Sequence, residues 1–187
     1  MTPPPRSVLQ TAATLRQDEH HMKGIILVGH GAIPKDYPRE HLTKLRALEA
    51  RRRATGGPPT AEEMELDREI RQWPRTPKTD PYRAGLEALA AELKPFLNGE
   101  RFAIAYNEFC APTLQEAVST MTAIGVKEIV VVPSMLTPGG SHSEIEIPEA
   151  LDRLRAQHGG MSIRYAWPFD LTAVASMLAA QLKRFQV

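Results

Sequence analysis

Three short apolar runs each end in a side chain able to ligate a metal ion, and that pattern leaves few folds open. Gly24-Ile25-Ile26-Leu27-Val28 leads into Gly29-His30-Gly31, and Phe102-Ala103-Ile104-Ala105-Tyr106 leads into Asn107-Glu108. Glu128-Ile129-Val130-Val131-Val132 leads through Pro133 and a Gly-rich loop to His142. Continuous apolar runs of about five residues, set between helical patterns, read as strands buried in a parallel sheet. Ligands of such sheets bind beyond the carboxyl ends of the strands. His30, Glu108 and His142 are therefore expected to converge on one sheet edge.

The elements between these runs complete the pattern. Asp80-Pro81 opens a helix carrying Leu86, Leu89 and Leu93, stopped by Pro95. Pro112 starts another, with Leu114, Ala117, Val118, Met121 and Ile124 on one face and Gly125 at its end. A third begins at Pro148 and runs to His158. Ile163 to Ala166 is a fourth strand, and Asp170 caps a last helix bearing Leu171, Val174, Leu178, Leu182 and Phe185. Four β-α units with short links predict an α/β fold: a single doubly wound, four-stranded parallel sheet. Between about residues 36 and 80 the chain is rich in Arg, Glu and Pro. Leu42, Leu45 and Leu48 mark one helix there, and Thr60 with Glu63 is a capping-box signature opening a second. This segment reads as a helical hairpin inserted after the first strand, with Leu42, Leu45, Leu48, Met64, Ile70 and Trp73 as its apolar stripe. Leaving the chain just after His30, it is expected to border the site.

The 187 residues suit one domain, and a formal net charge of +1 gives no reason to expect nucleic acid or an anionic membrane as partner. The single cysteine fits a reducing compartment, and Cys110 reads as a small buried residue. No apolar stretch approaches the roughly 20 residues of a membrane span. Residues 1–21 read as a disordered extension ahead of a domain over 22–187, and a cytoplasmic location is expected.

Imidazole with carboxylate suits borderline divalent ions such as cobalt, nickel, iron and zinc. Cysteine pairs, a His-Glu-x-x-His helix, a Gly-x-Ser-x-Gly elbow and phosphate-binding glycine loops are all lacking. Ligands drawn from three strand ends make an open site that takes up and releases an ion. Imidazoles also accept protons near neutral pH. Holding a metal while collecting protons is what insertion into a tetrapyrrole demands, because two pyrrole N–H protons leave as the ion enters. Each residue also has a structural reading. Histidines on strand-end loops often serve packing, but glycine on both sides of His30 argues for close approach of a ligand or backbone. His142 lies in a polar, glycine-rich loop read as mobile. Glu108 stands directly after its strand. Glu144 and Glu146 read as structural, Glu146 as a partner of a helix N-terminus, and His158 as a C-terminal cation. His20, His21 and His41 fall in regions read as exposed.

Together these motifs carry a family resemblance. Ile26-Leu27-Val28-Gly29-His30-Gly31 resembles the opening strand of the class II chelatases that act on sirohydrochlorin, the CbiX-like family. Ala105-Tyr106-Asn107-Glu108 with Pro112-Thr113-Leu114-Gln115-Glu116-Ala117 is similar to its second strand, its Glu and its Pro-led helix. Val131-Val132-Pro133-Ser134-Met135-Leu136, Gly139-Gly140-Ser141-His142 and Glu146-Ile147-Pro148 resemble its third strand and second His, with Glu146 where Asp is usual. The resemblance covers residues 23–34 and about 80–185. It implies a chelatase-like half-domain and a lyase that inserts cobalt or ferrous iron into sirohydrochlorin or a related tetrapyrrole, in cobalamin or sirohaem biosynthesis. His30, Glu108 and His142 match its metal-binding and proton-accepting positions, with the roles of the two His left open. It also implies a homodimer, with no cofactor beyond the divalent metal substrate, be it cobalt, iron or nickel. Ala32 after Gly-His-Gly and the insertion depart from the family pattern. Arg46, Arg51, Arg52 and Arg53 read either as partners for substrate carboxylates or as a solvated helix face. Two other functions fit the same residues: a non-catalytic metal or tetrapyrrole carrier or regulator, and a metal-dependent hydrolase.

Overall fold

Strand ends that finish level with one another decide where a site can form. The computed structural model describes residues 22–185; the expected N-terminal extension over 1–21 lies outside them. Strands β1 (Lys23–Gly29), β2 (Arg101–Tyr106), β3 (Glu128–Pro133) and β4 (Ser162–Tyr165) form one parallel sheet in the order β2-β1-β3-β4. Gly29 pairs with Tyr106 and Val28 with Pro133, so the first residues past β1, β2 and β3 emerge along one edge.

The sheet is covered on both faces, as a doubly wound fold requires. Alternate residues Ile26, Val28, Ile129, Val131 and Ile163 pack under α4 (Leu114–Ala123) and α5 (Ile147–Gln157) through Val118, Met121, Leu151 and Leu154. Leu27 and Tyr106 face the other way, against Leu86 and Ala90 of α3 (Pro81–Leu93). Caps set the helix starts. Asp80 accepts the Arg83 N–H at α3, and Thr113 with Glu116 forms a full capping box at α4. The helix α6 (Leu171–Arg184) begins at Asp170 as expected, but none of its residues is buried. No helix among the described residues is long and apolar enough to cross a membrane.

The insertion is a pair of helices, α1 (Arg39–Thr55) and α2 (Ala61–Gln72). Leu45, Leu66 and Ile70 meet Tyr37 in a small buried cluster that also takes in Ile33 and Phe109 from the loops after β1 and β2. The expected stripe is corrected at one point: Leu66 takes the buried place and Met64 is 54% exposed. Glu63 does not complete a capping box. Its amide is bonded by Thr60, while its buried carboxylate turns to Arg52 Nε at 2.7 Å.

A single buried cation ties the hairpin to the sheet. The Arg75 side chain is 1% exposed and forms an ion pair with Asp80, equally buried. Its guanidinium also donates to the carbonyls of Ala32 (2.8 Å), Ile70 (2.9 Å) and Phe109. Those three carbonyls belong to the loop after β1, to α2 and to the loop after β2. Arg75→Ala is expected to lower unfolding stability by about 3–5 kcal/mol, because it strands the Asp80 carboxylate in the interior. The urea midpoint at unchanged slope measures it.

Candidate metal centre

The glycines around His30 are set by contact. A Cβ on Gly29 would lie 2.3 Å from Leu86 Cδ2, and Gly31, at φ 93°, would place one 1.8 Å from the Glu108 carbonyl oxygen. The loops after β1 and β2 therefore touch backbone to backbone, with the Glu108 N–H donating to the His30 carbonyl at 2.8 Å. The His30 N–H donates to the Tyr82 hydroxyl at 2.7 Å. Phe109, at φ 54°, is a bulky residue in the left-handed region. The Arg75 bond to its carbonyl and its packing in the hairpin cluster hold it there and so aim Glu108.

His30, Glu108 and His142, the three residues expected to converge, do so. One donor atom from each lies within 4.8 Å of the others, and His30 Nε2 is 3.9 Å from Glu108 Oε2. The two imidazoles meet edge to face with centroids 4.4 Å apart. Ligands about 2.1 Å from a shared ion stand roughly 3–4 Å apart, so small side-chain rotations close the set. The expected mobile loop is corrected at His142. That residue opens a π-helical turn, His142–Glu146, that runs directly into α5, which starts at Ile147 rather than Pro148. Ser143 in this turn is buried, and the His142 side chain is 24% exposed.

The helical turn puts Glu146 where the sequence reading did not. Four residues on from His142, its Oε2 lies 2.9 Å from His142 Nδ1 and accepts from the Asn107 amide at 2.8 Å. His142 Nδ1 also lies 2.9 Å from the Asn107 amide nitrogen, so this ring nitrogen faces a donor and an acceptor at once. His30 Nδ1 lies 2.7 Å from the Gly31 carbonyl, which only accepts, so Nδ1 carries the hydrogen and Nε2 is free. Burial pushes the Glu146 carboxyl up, but the bonds from His142 and Asn107, helped by the charges of His142 and Arg53, bring it below the ordinary carboxylate range. Glu146 and Asn107 are thus the residues that sequence reasoning missed. The i,i+4 spacing of His142 and Glu146 was the available signal, hidden because the segment read as a loop. Glu144 accepts the N–H of Gly139 in the preceding turn, and Cys110 is fully buried. His158 ends α5, and His41 pairs with Glu69 on the hairpin surface.

A cleft of about 750 Å³ adjoins this centre. Asn107, Glu108 and Glu146 line it, while α1 supplies Arg52 and Arg53, α2 supplies Arg68 and Arg71, and α5 supplies Arg153. The hairpin therefore borders the site, as its point of insertion implied. Of the four arginines singled out earlier, Arg46 and Arg51 do not line the cleft, and Arg52 is engaged by Glu63. Arg53 makes no ion pair among the described residues.

Residues 78–185 match the CbiX family profile. Two curated relatives are similar over shorter stretches. The sirohydrochlorin cobaltochelatase of Priestia megaterium is 36% identical over 64 residues, 34% of this chain and 21% of the relative. That of Methanopyrus kandleri is 38% identical over 72 residues, 38% of this chain and 50% of the relative. The matched stretches thus span half or less of those proteins. A solved putative cobalamin (vitamin B12) biosynthesis CbiX protein from Marinobacter aquaeolei shares the fold at a TM-score of 0.50 and 23% identity, covering 87% of this chain and 98% of that one.

Glu146→Gln is expected to weaken cobalt binding, read by calorimetry, by about 10- to 100-fold, since it removes the negative charge beside His142 and Asn107. Its effect on stability should depend on pH. A carboxyl held below its ordinary range contributes stability above that range and loses it as pH falls through the lowered value. Urea midpoints of wild type and variant should therefore differ at neutral pH and converge in acid.

Proposed function

The chain belongs to the CbiX family, and on that premise we propose that it inserts a divalent metal, cobalt or ferrous iron, into sirohydrochlorin or a related tetrapyrrole. The reading places this step in cobalamin or sirohaem biosynthesis, with the protein acting as one of a pair of identical subunits. One observation supports it: two imidazoles and a carboxylate converge beside a cleft of about 750 Å³ that Glu108 lines.

The chemistry follows from the donor set. His30 Nε2, His142 Nε2 and Glu108 would receive the hydrated ion from solvent and present it to the macrocycle edge. As the ion passes to the four ring nitrogens, two pyrrole protons must depart, and the Nε2 atoms that released the ion are free to take them. The two imidazoles are backed differently. Behind His142 stands the Glu146 carboxylate, and behind His30 a neutral carbonyl. The substrate's carboxylates would meet the hairpin wall of the cleft, where Arg53 is the cation without an ion-pair partner.

Absorbance of purified protein with sirohydrochlorin and cobalt, ferrous iron or nickel tests this directly. Metal-dependent spectral conversion above the spontaneous rate is expected, with at least a 100-fold loss in His142→Ala and in His30→Ala. Binding of the tetrapyrrole without conversion would favour a carrier instead. Arg53→Gln should raise KM several-fold at unchanged kcat, as expected of a group that binds the periphery and not the reacting centre.

A further inference from the structure

One carboxylate in the cleft is left over once the others are accounted for. Glu108 faces His30, Glu146 backs His142, Glu116 caps α4, and Asp67 and Glu149 each hold an arginine. Glu49 also lines the cleft, yet it makes no ion pair or hydrogen bond among the described residues. It stands on α1, one turn after the buried Leu45 and one turn before Arg53, the cation without an ion-pair partner. Glu49 is half-buried and Arg53 exposed, so the two unengaged charges follow each other along the hairpin wall, about 5.4 Å apart in height.

A carboxylate that gives up water without gaining a partner costs stability, and the packing of the hairpin does not call for one here. Its surroundings add to that cost. Burial pushes the Glu49 carboxyl above the ordinary carboxylate range; Arg53 draws it back in part, while Glu108 of the loop after β2 and Asp67 and Glu63 of α2 push it further. A carboxylate placed in this way is a stronger base than an ordinary one. It is also close enough to the metal centre for the charge of Glu108 to reach it.

We propose that Glu49 is a proton acceptor in the metal insertion put forward above, taking a pyrrole proton on the hairpin side of a macrocycle held in the cleft. The role rests on that reading. A ring in the cleft lies between the loops that carry the metal centre and the wall formed by α1. As one N–H bond breaks, its electron pair stays on nitrogen to bind the entering ion, and the proton passes to a Glu49 carboxylate oxygen. Loss of that proton to water restores the group, and nothing is oxidised or reduced. Arg53, one turn on, meets a carboxylate at the rim, so one helix both holds the edge of the ring and receives a proton from its centre. α1 precedes residues 78–185, so this acceptor lies outside the residues that match the family.

The test compares Glu49→Gln and Glu49→Asp with wild type, each as the full chain. In the absorbance assay with sirohydrochlorin and cobalt, Glu49→Gln should lower kcat by about 10- to 100-fold at unchanged KM, and Glu49→Asp should recover part of the loss. The ratio of wild-type to Glu49→Gln kcat should rise with pH through one titration above the ordinary carboxylate range and then level off, because limbs due to the imidazoles cancel in it. Cobalt affinity without tetrapyrrole, read by calorimetry, should not change. Stability supplies a readout apart from activity. A carboxyl held above its ordinary range favours the fold in acid and loses that contribution as pH rises, so Glu49→Gln should raise the urea midpoint at neutral pH and not in acid. Unchanged kcat, a kcat loss matched by weaker cobalt binding, a ratio that ignores pH, or a lowered midpoint at neutral pH would overturn the role of Glu49 alone. A wild type that converts no tetrapyrrole would instead overturn the insertion reading, and this role with it.

Discussion

The carboxyl edge of the sheet depends on one buried guanidinium. Arg75 is paired with Asp80 and reaches the carbonyls of Ala32, Ile70 and Phe109, so a single side chain joins α3, the hairpin and the loops that carry His30 and Glu108. Only arginine can do this. Its planar fork serves several acceptors at once, whereas lysine offers a single compact point charge. Burying it costs desolvation, and the carboxylate with three carbonyls offsets most of that; its Nε is left without a partner. Asp80 does double duty, since its other oxygen caps α3. Breaking this pair would therefore disturb the start of α3, the seating of the hairpin and the aim of Glu108 together.

Downstream of that clamp, the centre is built from contacts too close for side chains. Gly29 lies against Leu86 and Gly31 against the Glu108 carbonyl, which brings the loops after β1 and β2 together. The third ligand arrives differently. His142 comes from a helical turn rather than a loop, so its position is as firm as that of α5, and the same turn brings Glu146 behind it. Two imidazoles 4.4 Å apart with unlike partners are chemically inequivalent from the outset.

The hairpin enlarges this site without rebuilding it. The family match begins at residue 78, after α1 and α2, so Arg52, Arg53, Arg68 and Arg71 of the cleft lie outside the matched residues and Arg153 within them. Its helices bury one small cluster, and part of that cluster is Phe109, the residue next to Glu108. A wall anchored beside the ligand it overlooks cannot move without shifting the centre.

The sequence by itself determined the sheet, the strand ends at which His30, Glu108 and His142 converge, and the place of the hairpin. Continuous apolar runs can be satisfied only by strands covered on both faces, and residues just past such strands have to meet at one edge. Helix starts at Asp80, Thr113 and Asp170 were legible for a similar reason, since a cap is a local bond between near neighbours. What only tertiary structure decided involves partners far apart along the chain. Arg75 looked like one more charge in an Arg-rich segment, because its acceptors lie 5 to 43 residues away. Glu146 became the partner of His142 only when a Gly-rich, loop-like stretch closed into a helical turn. For α6 the two levels disagree: its stripe announces a buried face, yet none of its residues is buried in the fold.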